Sequence, residues 1–156
     1  MAVKYKMKIA LGSDHGGYQL KENLKKYLKE LNVEYKDFGC NSEKSVDYPD
    51  IGFKIAREVK NRNYDKGILI CGTGIGMSIV ANKIKGIRAS LCHDVFSARY
   101  AREHNDANIL TLGGRVIDSG LAKEIVKVWL STDFSREERH IIRLNKIKQE
   151  EDKIYK

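Results

Sequence analysis

Residues 67–78 read Gly67-Ile68-Leu69-Ile70-Cys71-Gly72-Thr73-Gly74-Ile75-Gly76-Met77-Ser78. The first five are apolar without alternation, as an interior parallel strand buried on both faces requires. The run is too short for a helix and is bounded by glycine. Gly72 and Gly74 then turn the chain, and helical spacing resumes from about Gly74 to Lys85. A strand, a glycine turn and a helix make the repeating half of a parallel α/β fold. The stretch from Gly67 to Asn82 carries no charge, but four glycines, Thr73 and Ser78 interrupt it. It falls short of the roughly 18–20 apolar residues that a membrane span needs.

The same alternation extends in both directions. Lys8–Leu11 is a short apolar run ending in Gly12-Ser13-Asp14-His15-Gly16-Gly17. Leu20, Leu24, Tyr27, Leu28 and Leu31 follow at helical spacing, and Val33–Phe38 reads as a strand closed by Gly39. Pro49 suits the first turn of a helix carrying Ile51, Ile55 and Val59 on one side. Beyond the central stretch, Ile87–Cys92 predicts a fourth strand and Asp94–Glu103 a helix. Ile109–Leu112 predicts a fifth strand, and Leu121, Ala122, Ile125, Val126 and Trp129 line a helix after it. A last helix, from about Arg136 to Glu151, follows no strand.

This pattern predicts one α/β domain over residues 1–156, a Rossmann-like three-layer αβα sandwich with an extra C-terminal helix. Right-handed crossovers favour a five-stranded parallel sheet in the order 2-1-3-4-5. Strands 1 and 3 are then neighbours whose following helices leave to opposite faces. The crevice beyond their carboxyl ends is where such folds hold ligands. The two most unusual loops, Gly12–Gly17 and Cys71–Ser78, both open there.

Composition narrows the classes of partner. Charged residues make up 32% of the 156, and the formal net charge is +8. Such a balance can steer any anion, a sugar phosphate included. Lys21, Lys25, Lys26 and Lys29 read as a solvated helix face. Neither a basic run nor arginine–aromatic interleaving is present, so no nucleic-acid partner is expected. The apolar part of the N-terminus is too short for a signal peptide, and no membrane partner is expected. Cys40, Cys71 and Cys92 cannot all pair, which fits a reducing, cytoplasmic setting. No histidine or cysteine grouping has metal-ligand spacing, so no metal is expected.

Several residues could carry chemistry. The glycines after Cys71 let backbone approach a ligand, and the unpaired N–H groups of the following helix can cradle an anion. A tight strand–helix turn would need them as well. No Walker-type lysine follows, and the third glycine of a dinucleotide fingerprint is missing. Cys71 lies at the helix start, where a thiolate is favoured and a proton-transfer base can operate. Cys40 and Cys92 read as structural thiols. Asp14 either binds sugar hydroxyls or caps the next helix, while His15 can donate to a phosphate. Arg139-His140-x-x-Arg143 presents two guanidinium groups on one helix face with Lys146, either for phosphate or as a solvated face. His104 and Asn105 fall at the amino-terminal rim of the sheet. They can join Cys71 only if a second subunit supplies them. His93 has no assigned role.

Five segments in order resemble the type B ribose-5-phosphate isomerase family, which also holds the galactose-6-phosphate isomerase subunits. They are Gly12–Gly17, Asp47-Tyr48-Pro49-Asp50, Cys71–Gly76, Arg102-Glu103-His104-Asn105-Asp106-Ala107-Asn108 and Arg139-His140-x-x-Arg143. The resemblance implies interconversion of ribose 5-phosphate and ribulose 5-phosphate through an enediolate, a step of the pentose phosphate pathway, with no cofactor. It implies a homodimer with shared active sites and leaves open a tetramer. It also implies that Cys71 moves the proton between C2 and C1, Thr73 assists between the oxygens, and His104 opens the furanose ring. Asp14 and Tyr48 would lie nearby, and the amides from Gly72 through Gly74 and Gly76 to Ser78 would hold the enediolate oxygen. His15, Arg115, Arg139 and Arg143 would hold the phosphate, and Asn105 the sugar hydroxyls. Galactose 6-phosphate or allose 6-phosphate as substrate, or a silent binding protein for sugar phosphates or nucleotides, remain alternatives. One departure is Arg136-Glu137-Glu138, where many members have glycines.

Overall fold

The structure, a computed structural model, describes residues 6–156. The N-terminal reading falls partly on residues 1–5, which lie outside the described residues. Five parallel strands form one sheet: β1 (Lys8–Ser13), β2 (Glu34–Asp37), β3 (Lys66–Cys71), β4 (Ala89–Leu91) and β5 (Ile109–Gly113). Six α-helices accompany them: α1 (Tyr18–Glu30), α2 (Tyr48–Lys60), α3 (Ile75–Ala81), α4 (Val95–Glu103), α5 (Ser119–Ser131) and α6 (Glu138–Ile154). The alternation read from the sequence is therefore present throughout.

The strand order is β2-β1-β3-β5-β4, which corrects the expected 2-1-3-4-5. Burial gives the reason. All five residues of β5 are buried, whereas β4 has three residues, all half-buried. The richer strand takes the interior place and the short one the edge, where few unpaired backbone groups are left exposed. The swap also moves a helix. β3 to β4 steps outward over β5 through α3, and β4 to β5 steps back through α4. Right-handed crossovers in opposite directions put α3 and α4 on opposite faces.

Each face has its own apolar layer. On one, Leu24 and Leu28 of α1, Ala98 of α4, and Ile125 and Trp129 of α5 cover Ile9, Leu11, Ile68 and Leu110. On the other, Ile55 and Val59 of α2 and Met77 of α3 cover Ala10, Leu69 and Ile109. Leu24 has no exposed surface, and truncating such a leucine to alanine costs about 2–5 kcal/mol. Asp94 and Asp118 cap α4 and α5 by accepting from the Ser97 and Leu121 N–H groups, at 2.6 and 2.8 Å.

Lys21 corrects the reading of α1's lysines as solvated. It is 0% exposed, and its ammonium donates to both carboxylate oxygens of Asp37 at 2.8 Å and to the Cys40 carbonyl. Lys25 reaches the same carboxylate at 3.0 Å. The segment after β2 folds back over α1, and these bonds satisfy the buried charge. That segment in turn brackets the end of β1: Ser13 N–H donates to the Gly39 carbonyl and Cys40 N–H to the Ser13 carbonyl, each at 2.7 Å.

α6 stands outside the three layers. Gly86 N–H donates to Glu151 at 3.2 Å, Lys85 pairs with Asp152 at 2.7 Å, and His140 packs on His104. The helix is thereby held at the amino-terminal rim of the sheet. No helix among the described residues is long and apolar enough to cross a membrane.

Candidate active site

At the carboxyl rim the loops after β1, β3 and β5 meet backbone to backbone. A Cβ on Gly17 would stand 2.6 Å from the Ile70 carbonyl oxygen, and one on Gly114 would stand 2.6 Å from that of Gly16. Gly114 N–H donates to the Cys71 carbonyl and Arg115 N–H to that of Gly72, at 2.8 and 3.0 Å. The result is a cleft of about 430 Å³ lined by Asp14, Tyr48, Cys71, Gly72, Thr73, Ile75, Gly76, Ile79 and Arg115.

Cys71 sits at its floor, 4% exposed, and its Sγ accepts from the Gly74 N–H at 3.2 Å. Gly74 adopts φ +79, and a Cβ there would meet the Leu112 carbonyl, so only glycine brings that N–H to the sulfur. The exposed Thr73 keeps its hydroxyl at the mouth, where it accepts from Ile75 N–H at 3.2 Å. Gly76 lets the Tyr48 ring lie against α3, since a Cβ would come within 2.8 Å of it. Arg115 reaches over Gly72, its Nη1 3.2 Å from where a Cβ would stand. Asp14 has a capping role and also a place at the cleft. It caps the short turn His15–Gly17 by accepting from Gly17 N–H at 3.1 Å, and it lines the cleft. His15 Nδ1 accepts from Val46 N–H at 3.2 Å, which leaves Nε2 as the nitrogen that bears hydrogen and donates. Ser78 stands apart, because its N–H is already bonded to the Gly74 carbonyl at 3.1 Å.

The remaining residues gather at the opposite rim. His104, Arg139, Phe96, Tyr100, Glu103 and Glu137 surround a second cleft. Asn105 lines a neighbouring groove with Asn82, Arg88 and Leu144. The length of β5 separates this rim from Cys71, about 13 Å at ~3.3 Å per residue. Arg139 bonds Glu137 at 2.9 Å, and both are more than half exposed. Arg143 is exposed.

Two arginines that sequence reasoning left unassigned hold the His104 loop in place. Arg102, 6% exposed, bonds the Thr132 and Ala107 carbonyls and Asp106, and Arg88 bonds the Asn105 and Asp106 carbonyls. Nothing local in the sequence signals this, because the partners are main-chain carbonyls. Among the thiols, burial pushes Cys92 up to about 11, as suits an inert core cysteine. Cys40 donates to the Ser42 carbonyl at 3.2 Å. His93 Nε2 is buried without a partner and lines none of these clefts. No group of three or more candidate metal ligands occurs among the described residues.

Residues 9–147 match the ribose/galactose isomerase family. The chain belongs to that family. It is 56% identical to the ribose-5-P isomerase B of Listeria innocua, over 83% of this chain and 87% of that protein. It is 43% identical to the D-erythrulose-4-phosphate isomerase of Pectobacterium atrosepticum, over 82% and 85%. A solved ribose-5-phosphate isomerase B from Clostridium thermocellum superposes with a TM-score of 0.92 at 52% identity, covering 95% of this chain and 99% of that one. Five parallel strands with helices on both faces are thus this family member's architecture.

Proposed function

We propose that the protein interconverts ribose 5-phosphate and ribulose 5-phosphate, and that each active site is built from two chains. The observation that carries the reading is the Cys71 cleft, where a buried sulfur, a backbone N–H aimed at it and an arginine face one space. In the proposed mechanism the Cys71 thiolate removes the proton from C2 of the open aldose. The C–H electron pair forms the C1–C2 double bond, and the carbonyl pair moves to O1, giving an enediolate. Thr73 passes a proton between the two oxygens, and Cys71 returns its proton to C1. Oxidation at C2 balances reduction at C1, so the reaction calls for no external oxidant or reductant. Amides of the glycine turn face the developing oxyanion, a term commonly worth 10²–10³-fold per donor.

The second chain solves a geometric problem. Ring opening needs an acid at the furanose ring oxygen, O4, and phosphate capture needs guanidinium groups, yet His104, Asn105, Arg139 and Arg143 lie at the far rim. A twofold pairing that sets the far rim of one chain over the Cys71 cleft of its partner supplies both. Exposed Tyr48, Ile75 and Ile79 beside the cleft, and exposed Ile142 and Ile147 on α6, are the apolar surface such a pairing would cover. His15 and Arg115 would complete the phosphate site.

The Pectobacterium relative suggests a second substrate class, and chemistry separates the two. A tetrose phosphorylated at O4 has no free oxygen with which to close a furanose, so it needs no ring-opening acid. His104 at the second cleft favours the pentose. The deciding experiment incubates the protein with ribose 5-phosphate, erythrose 4-phosphate, allose 6-phosphate and galactose 6-phosphate and measures ketose formation. The highest kcat/KM is expected for ribose 5-phosphate. Binding without turnover of any of the four would leave only a sugar-phosphate binding protein.

A further inference from the structure

Phe96, Tyr100 and His104 recur every four residues along α4 and its end, so their rings share one face of the helix. They form a ladder with centroids 4.6 Å apart between Phe96 and Tyr100 and 4.5 Å apart between Tyr100 and His104. His140 of α6 continues it, stacked on His104 at 4.1 Å with 20° between the planes. The His104 imidazole thus touches two rings, Tyr100 tilted by 41° and His140 nearly parallel. The outer ring is buried: His140 is 4% exposed, while Arg139 beside it has a side chain 59% exposed. His140 Nε2 is buried without a hydrogen-bond partner. Its flat face is in use and this nitrogen is not.

We propose that His140 is a positioning residue that, with Tyr100, clamps the His104 imidazole in the orientation from which it delivers a proton to the sugar ring oxygen. The proposal rests on the ring-opening role of His104 given above. Charge supports it. Burial first, then His104, Arg139 and Arg143, hold the His140 imidazole below its usual range, with Glu137 opposing them. An uncharged ring can lie flat on a protonated imidazole, whereas two charged rings at this spacing would repel. Glu103, at the end of α4, is the remaining charged group at this cleft. A freely rotating His104 would spend most of its time misaimed, and misplacement by about 1 Å can cost on the order of 10² in rate.

Two variants test the clamp. His140→Leu keeps apolar bulk and removes the flat ring. His140→Phe keeps the ring and removes the nitrogens. With ribose 5-phosphate, His140→Leu is expected to lower kcat about tenfold or more with KM within about twofold, and His140→Phe to recover most of the loss. If Phe is no better than Leu, or if the loss falls on KM, the clamp is wrong. If His140→Leu does not fold, Tyr100→Leu removes the other ring and should give the same kcat-selective loss. An unaltered kcat there also overturns the proposal. A second readout does not depend on turnover. The His104 ring protons, shielded by two rings, should move downfield in the NMR spectrum of His140→Leu and stay near their native positions in His140→Phe. Unmoved signals in His140→Leu would refute the stack in solution. A native enzyme inactive on ribose 5-phosphate would instead refute the proposed function and leave the NMR result to decide the clamp.

Discussion

The Gly74 N–H points at the Cys71 sulfur from 3.2 Å, across the turn that joins β3 to α3. That donor suits a sulfur that cycles between thiol and thiolate. Cys71→Ala is therefore expected to lower kcat by at least about 10³-fold, because it removes the sulfur to which the proposed mechanism assigns the C2 proton. Phosphate binding, read by calorimetry with a non-isomerisable sugar phosphate, should stay within about threefold. Native enzyme should also wash solvent deuterium into the product. A Cys71→Ala enzyme with most of its turnover intact would end the mechanism.

Sharing of the site has a direct test in mixed dimers. Cys71→Ala and His104→Ala chains are each expected to be nearly inactive on ribose 5-phosphate. If each site takes Cys71 from one chain and His104 from the other, a mixed dimer holds one wholly native site. Random mixing then restores about a quarter of native activity. Sites confined to single chains would give no recovery.

Arg139 Nε donates to Glu137 at 2.9 Å. If Arg139 binds the substrate phosphate as proposed, the phosphate competes with that carboxylate. Glu137→Gln is expected to lower KM about two- to fivefold with kcat unchanged, since exposed ion pairs are weak. Arg139→Ala should raise KM by about tenfold or more, through loss of a charged hydrogen bond. Unchanged KM in both would return this pair to the solvated surface.

Lys21→Met should destabilise the fold by about 3 kcal/mol in urea unfolding, because it strips a buried ammonium from Asp37. Burial opposes ionisation of Asp37, but the bonds from Lys21, the Gly39 N–H and Lys25 outweigh it and hold the carboxyl below the usual range. This contribution is present at neutral pH and fades as pH falls through the lowered value. The cost of Lys21→Met should shrink accordingly in acid. A pH-independent cost would point to packing alone.

Lys66 behaves in the opposite sense. Burial first, then the Arg102 charge, push its pKa down to about 8, and its ammonium lies 5.5 Å over the Trp129 ring. Between that value and the unfolded ~10.4 the unfolded chain binds more protons, so the folded state gains stability as pH rises. Lys66→Met should therefore be more stable than native at pH 7, by about 1 kcal/mol after allowing for solvent screening, and the gain should vanish near pH 10. Denaturant midpoints at the two pH values check it. A variant weaker at pH 7 would contradict it.

What was legible in the sequence is what depends on local pattern. Helical spacing of Leu20, Leu24 and Leu28, the apolar run before Cys71 and the glycines after it each specify a local conformation, and each is realised. Which strand lies beside β3 depends on how β4 and β5 compete for the interior, and periodicity carries no register between distant strands. Lys21 looked solvated because its spacing says only which helix face it occupies, not that the segment after β2 folds over that face. His140 was quoted for its arginine neighbours, yet its ring partner lies 36 positions away on another helix. Ser78 looked like an anion donor until the start of α3 at Ile75 put its N–H inside the helix.

The close backbone contacts of Gly16, Gly17 and Gly114 leave no room for a side chain at these three positions beside Cys71. A Cβ at any of them would force the loops after β1, β3 and β5 apart. Evolution toward longer or shorter sugars, and any inhibitor chemistry that exploits such differences, must therefore work on the walls and roof, through Tyr48, Ile79, Arg115 and the residues facing them across the cleft. In the proposed function the reacting end of the substrate would meet this glycine-built surface, and selectivity would be set at its tail.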